Sequence, residues 1–93
     1  MAIRSFRDDE TERLFRTGVS RRWIAIAKIA LRKLDMLDAA VTLADLKAPP
    51  GNRLESLRGD RAGQNSIRIN DRFRLCFRWT LEGPEDVHIV DYH

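Results

Sequence analysis

The stretch from residue 65 to 79 restricts this chain more than any other. In "NSIRIN", Ile67 and Ile69 fall on one side and Ser66, Arg68 and Asn70 on the other. "DRFRLCFRW" repeats the alternation, with Phe73, Leu75, Phe77 and Trp79 opposite Arg72, Arg74, Cys76 and Arg78. A period of two belongs to strands that bury one face. The "IND" turn joins the two runs into a tight hairpin, and "TLEGPED" makes a second, looser turn into a last strand over residues 87–92. The resulting sheet has one apolar face and one face carrying arginines, so the rest of the chain must cover the apolar one.

Two upstream segments suit that task. "RDDETERLFRTG" predicts a helix capped by Asp8 or Asp9, supported by Asp9–Arg13 and Glu12–Arg16 pairs and stopped at Gly18. "SRRWIAIAKIALRKLDML" predicts a longer helix, with Ser20 as a cap and Trp23, Ile26, Ala27, Ala30, Leu31, Leu34 and Leu37 recurring at three- and four-residue steps. "AIRSF" before them predicts a short first strand. After them a helical turn near Leu43 to Leu46 gives way to Pro49, Pro50 and Gly51, and residues up to Gly63 read as a long ordered loop with Leu54 and Leu57 tucked against the core. The expected order is β-α-α-β-β-β. The fold class is α/β in the α+β sense: one domain over residues 1–93, with two helices packed on one face of a small mixed sheet and the arginine face left open.

With 93 residues the chain can bury one modest core, which puts function on a surface. Its basic residues are 14 Arg against 3 Lys, and arginine is the side chain whose planar fork matches phosphate. Seven of these arginines (Arg53, Arg58, Arg61, Arg68, Arg72, Arg74 and Arg78) lie between residues 52 and 78 with only Glu55, Asp60 and Asp71 to offset them, so that segment nets +4 and the rest of the chain −1. A shallow cationic trough for a nucleic-acid backbone is one consequence. Solvated pairing of those arginines with neighbouring acids is the other. Cys76 is the single cysteine, which excludes an intrachain disulfide and a cysteine-based metal site and suits a reducing compartment. "MAIRSFRDDE" is too charged for a signal peptide, and no apolar run approaches the roughly 18 residues that cross a bilayer. A cytoplasmic protein without membrane contact is expected.

The sequence ends in "DVHIVDYH". Histidine titrates near neutrality, and carboxylates and phenols can be tuned, so Asp91, Tyr92 and His93 are candidates for proton transfer. RNA can be cut without metal when one group deprotonates the 2′-OH, another protonates the departing 5′ oxygen, and cations hold the charge on phosphorus oxygens. The plainer alternatives are a frayed end for His93 and a core aromatic for Tyr92. Strand parity sets Tyr92 with His88 and Val90, and Asp91 and His93 with Val87 and Ile89, so one set faces the trough unless the strand twists or ends at residue 91. No Gly-rich phosphate loop, zinc-like spacing or Ser/Cys nucleophile constellation is present, and His88 and His93 are too few for a metal centre.

Taken in order, "IRSF", "RRW", "PPGNRLESLRGDRAGQNSIRIND", "RFRLCFRW" and "VDYH" resemble the HigB branch, and particularly GraT-like members, of the RelE/ParE superfamily of type II toxins, over essentially the whole chain. The resemblance implies a RelE-like fold and ribosome-dependent endoribonuclease (mRNA interferase) activity that cuts translated mRNA in the A site, inhibiting translation and growth. It implies chemistry without metal or cofactor. The implied partners are a helix-turn-helix, HigA-like antitoxin, the ribosome and mRNA, with operator DNA reached only through the antitoxin complex. Residue by residue, Asp91, Tyr92 and His93 fall on the catalytic ending, Arg74 on the strand arginine, and Arg58 on a basic loop position. Glu55 stands where better-studied HigB toxins carry a catalytic histidine, which makes it a secondary candidate base or a loop residue paired with Arg53 or Arg58. The rival functions are a noncatalytic ParE-like inhibitor of DNA gyrase and a noncatalytic nucleic-acid-binding module.

Overall fold

The computed structural model describes residues 2–91; Tyr92 and His93 lie outside the described residues. Helix α1 (Asp9–Thr17) starts where the Asp8 carboxylate accepts from the Thr11 N–H at 2.6 Å, and it stops at Gly18, whose φ of 77° lets its N–H bond back to the Leu14 carbonyl. Of the two expected ion pairs, Glu12–Arg16 forms at 2.8 Å; Asp9–Arg13 does not form among the described residues. Both of those side chains point to water, where such a pair gains little.

The second helix begins later than its apolar period suggests. The Ser20 hydroxyl does accept from the Trp23 N–H at 2.9 Å, but a 3₁₀ turn (Ile24–Ile26) follows, and α2 spans Ala27–Ala39. A 3₁₀ turn eclipses residues three apart, which brings Trp23 and Ile26 into the core on the same side. From α2, Ala30, Leu34 and Leu37 are buried, and with Leu14 of α1 they lie against the apolar side of the sheet.

Four strands form that sheet: β1 (Glu55–Ser56), β2 (Asn65–Arg68), β3 (Phe73–Thr80) and β4 (Gly83–Asp91), antiparallel in the order β1-β2-β3-β4. Asn70 closes the β2–β3 turn by accepting from the N–H groups of Arg72 and Phe73. The β3–β4 turn is tighter than expected, because Thr80 pairs with Gly83 and β4 therefore starts at Gly83 instead of residue 87. Ile67, Leu75, Phe77, Val87 and Ile89 make the helix-facing side, all buried.

The first expected strand is an extended segment with a single parallel bridge, Phe6 to Val87. It lies along β4 through Arg4 N–H to Pro84 O, Val87 N–H to Ser5 O and Arg7 N–H to Val87 O. Regular pairing fails because Asp86 has φ 54° and its N–H turns to the Ser5 hydroxyl, while the Ile3 N–H is taken by Asp38 at the end of α2. Gly83 is required here: a Cβ would collide with the Ala2 carbonyl, and its φ of 129° suits no other residue.

The loop from α2 to β2 is ordered by one buried amide. Asn52 donates to the Leu46 carbonyl at 3.0 Å and accepts from Lys33 Nζ at 2.6 Å, pinning the Pro50–Asn52 turn to α2. Leu57 is buried as expected and bonds through its N–H to the Gln64 carbonyl. The second side of the sheet is not open. Ser66, Arg74, Cys76 and His88 share it and are buried, with residues of the 53–64 segment bonded to Arg74 and His88. The expectation of an exposed arginine face overlooked that a polar loop can cover a polar face when each group it hides finds a partner.

Candidate active site

Strand register builds the site in rows. Glu55 stands opposite Ser66, Ser66 opposite Cys76, and Cys76 opposite His88, so these four side chains form one line across the sheet on the side away from the helices. The next line holds Arg68, Arg74 and Val90. The carboxyl-terminal part of β4 therefore runs directly beside Arg74. It also resolves the parity question for the described residues: His88 and Val90 share the face of Arg74, while Asp91, opposite Phe73, has the other parity.

Arg74 is the centre. Its Nε donates to the Ser66 hydroxyl at 2.8 Å, its Nη2 to the carbonyls of Arg53 at 2.6 Å and Ser66 at 3.3 Å, and its Nη1 lies 3.3 Å from a Glu55 carboxylate oxygen. Its side chain is 9% exposed and that of Glu55 51%. Glu55 thus pairs with Arg74, in place of the Arg53 or Arg58 partner that sequence spacing suggests.

A second fastening lies at the other end of the row. Arg61 Nη1 is 2.9 Å from His88 Nε2, and His88 Nδ1 is 2.6 Å from the Asp86 carbonyl. A guanidinium can only donate, so Nε2 accepts, and the ring proton sits on Nδ1 and goes to the carbonyl. The ring is thereby held neutral. Burial lowers the His88 pKa; the Asp86 carbonyl opposes this, and the charges of Arg7 and Arg61 reinforce it. Burial also pushes the Cys76 thiol up, which makes it an inert filler and no nucleophile.

Two of the carbonyls that serve this cluster belong to residues in the left-handed region: Arg53 at φ 46° and Asp86 at φ 54°, the two non-glycine residues with positive φ among the described residues. Each such conformation costs on the order of 1–2 kcal/mol for a side-chain-bearing residue. Here it aims one carbonyl at Arg74 and the other at His88.

The remaining candidates divide by partner. Arg72 donates through Nε and Nη2 to Asp91 at 3.0 and 2.7 Å, and that bond to Asp91 raises the Arg72 pKa. Asp91 is therefore an arginine holder at the sheet edge. Arg68 pairs with Asp71, and Arg61 is shared between His88 and Gln64. Arg53, Arg58 and Arg78 have no carboxylate partner among the described residues; Arg53 and Arg58 are exposed, and Arg78 Nη1 lies over Gly63. Three cations without a carboxylate partner thus share the loop and strand that carry the buried one. Sequence reasoning missed Ser66 and His88 as site-forming residues. Their signal was there: small or neutral polar side chains at the parity of Arg74 imply a covered row instead of a solvated one. Among the described residues no group of three or more His, Cys, Asp or Glu could hold a metal ion.

Comparison with known proteins identifies the family. The family model described as "RelE-like toxin of type II toxin-antitoxin system HigB" matches residues 4–93. The chain belongs to the HigB-like toxins. The toxin HigB-1 of Vibrio cholerae is 42% identical over 76 residues, 80% of either chain, and an uncharacterized protein of Haemophilus influenzae is 37% identical over 76 residues, 80% of this chain and 75% of that one. A YoeB/ParE toxin from Agrobacterium tumefaciens shares the fold at TM-score 0.56 and 24% identity, over 100% of this chain and 99% of that one. This HigB-like protein is accordingly a toxin of a type II toxin–antitoxin system, with a cognate antitoxin as partner. No helix among its described residues is long and apolar enough to cross a membrane.

Proposed function

We propose that this HigB-like toxin is a ribosome-dependent endoribonuclease that cuts translated mRNA in the A site through the 2′-OH, without a resident metal, and acts in the cytoplasm. The observation that carries the reading is the seat of Arg74. Its guanidinium is fixed by neutral acceptors beneath the 53–64 loop, beside the carboxyl-terminal run of β4. A fixed cation costs no reorganisation when charge grows on the phosphorus oxygens.

In this scheme the 2′ oxygen attacks phosphorus, the bond to the 5′ oxygen breaks, and a cyclic phosphate and a free 5′-OH result. Arg74 steadies the charge on the nonbridging oxygens. Arg53, Arg58 and Arg78 guide the backbone, with Arg61, Arg68 and Arg72 as further contacts once their present partners give way. Glu55, Tyr92 and His93 are the candidates for taking the 2′ proton and supplying one to the leaving oxygen. Asp91 positions Arg72. Few proton carriers suffice when the ribosome orients the substrate, because orientation alone can remove much of the barrier. The antitoxin would be a helix-turn-helix, HigA-like protein through which the pair reaches operator DNA.

The test is to express Tyr92→Phe, His93→Ala and Arg74→Ala and map the 5′ ends of translated mRNA. Codon-linked cuts should fall by at least about a hundredfold for Arg74→Ala and for one of the other two. Unchanged cleavage and growth arrest in all three would end the assignment. DNA damage signalling with intact mRNA would point instead to gyrase.

A further inference from the structure

Arg74 cannot move, and Glu55 can. Three hydrogen bonds to Ser66 and Arg53 hold the guanidinium, which is almost wholly covered. The Glu55 carboxylate is half exposed, and its strand pairing to Ser66 is made by the main chain. Turning the Glu55 side chain into water therefore takes its carboxylate off Arg74 Nη1 without disturbing the sheet.

We propose that Glu55 is a resident stand-in for phosphate: in the free protein its carboxylate occupies Arg74, and an entering phosphodiester displaces it. This rests on the nuclease reading for the identity of the entering group. Three observations favour displacement over simple addition. The Glu55 oxygen sits 3.3 Å from Nη1, within reach of the position a phosphate oxygen would take on that edge of the guanidinium. Arg53, whose own carbonyl supports Arg74, has an exposed side chain with no carboxylate partner among the described residues, which adds a cation to this loop. A phosphate also carries more charge acceptors than a carboxylate and matches the arginine fork at least as well. Glu55 then weakens binding of any free anion, and a substrate delivered at high local concentration overcomes it.

Two consequences follow for specificity. Free phosphates and stray RNA are disfavoured at Arg74, and Glu55 is released as a proton acceptor only when phosphate is in place.

The test uses the full chain and inorganic phosphate, followed by the Arg74 Nε–H resonance in NMR. Glu55→Gln, which keeps the size of the side chain and loses its charge, should bind phosphate at Arg74 roughly threefold to tenfold more tightly than wild type. Glu55→Ala should shift in the same direction, which covers the case of a poorly folded amide variant. Glu82→Gln, removing an equal charge from the distant pair with Arg4, is the control for net charge and should change affinity by less than about twofold. An affinity for both Glu55 variants no higher than for Glu82→Gln overturns the proposal. The two readings fail separately: tightening without mRNA cuts by wild type would sink the nuclease and leave the displaced carboxylate, whereas mRNA cuts without tightening would sink only the displacement.

Discussion

The two sides of the sheet both hold buried side chains, covered by opposite means. Against α1 and α2, Leu75, Phe77, Ile67 and Val87 are covered by apolar side chains; against the 53–64 loop, Ser66, Arg74 and His88 are covered by hydrogen-bonding groups. Burial of apolar area is nondirectional and tolerates rearrangement. A polar seal depends on each bond being made, because a buried donor or acceptor left alone costs about 1–3 kcal/mol. The first side keeps the domain folded. The second holds charge in place, and its loop is expected to open before the domain melts.

Removing the fully buried Phe77 ring breaks the comparison most severely. Phe77→Ala should lose about 3–5 kcal/mol and lower the denaturant midpoint for every probe of structure. Asn52→Ala should be milder and local. With the Leu46 carbonyl and Lys33 losing their partner, about 1–3 kcal/mol is lost, and hydrogen exchange should quicken in residues 53–64 ahead of β3. Equal protection loss in both regions would show that the two sides are one cooperative unit.

The smallest effect is one of pH. His88 is neutral in the fold with a pKa below its unfolded value, so the unfolded chain binds the proton first as pH falls. Stability from this residue is complete above the unfolded value of about 6.5 and declines as pH drops from there towards the folded value. His88→Gln, with an amide oxygen to accept from Arg61, should flatten the slope of urea stability between pH 7 and pH 5. An unchanged slope would place the titration elsewhere.

What could be read in the sequence follows the same division. The helix-side residues repeat at 3.6 and 2, so both helices, the hairpin and nearly all of the core are visible in the spacing of Leu34, Leu37, Ile67, Leu75 and Phe77. The late start of α2 is not, because Trp23 and Ile26 fit a 3₁₀ turn as well as an α-helix. The polar side has no period. Arg74 is held by a main-chain carbonyl 21 residues away, and Arg61 meets His88 across 27, contacts that no local pattern encodes. Arginine clustering located the region correctly but gave no means of separating Arg74, which is enclosed, from Arg58, which is free to meet a ligand.

The seat that Gly83 offers to Ala2 has a kinetic consequence. Ser5 meets Asp86 across 81 residues, so the ribbon over residues 2–7 can pair with β4 only after that strand has been synthesised. Closing so large a ring is slow compared with winding a helix. The pairing of this ribbon with β4 is therefore expected to form after the helices, whose contacts are local.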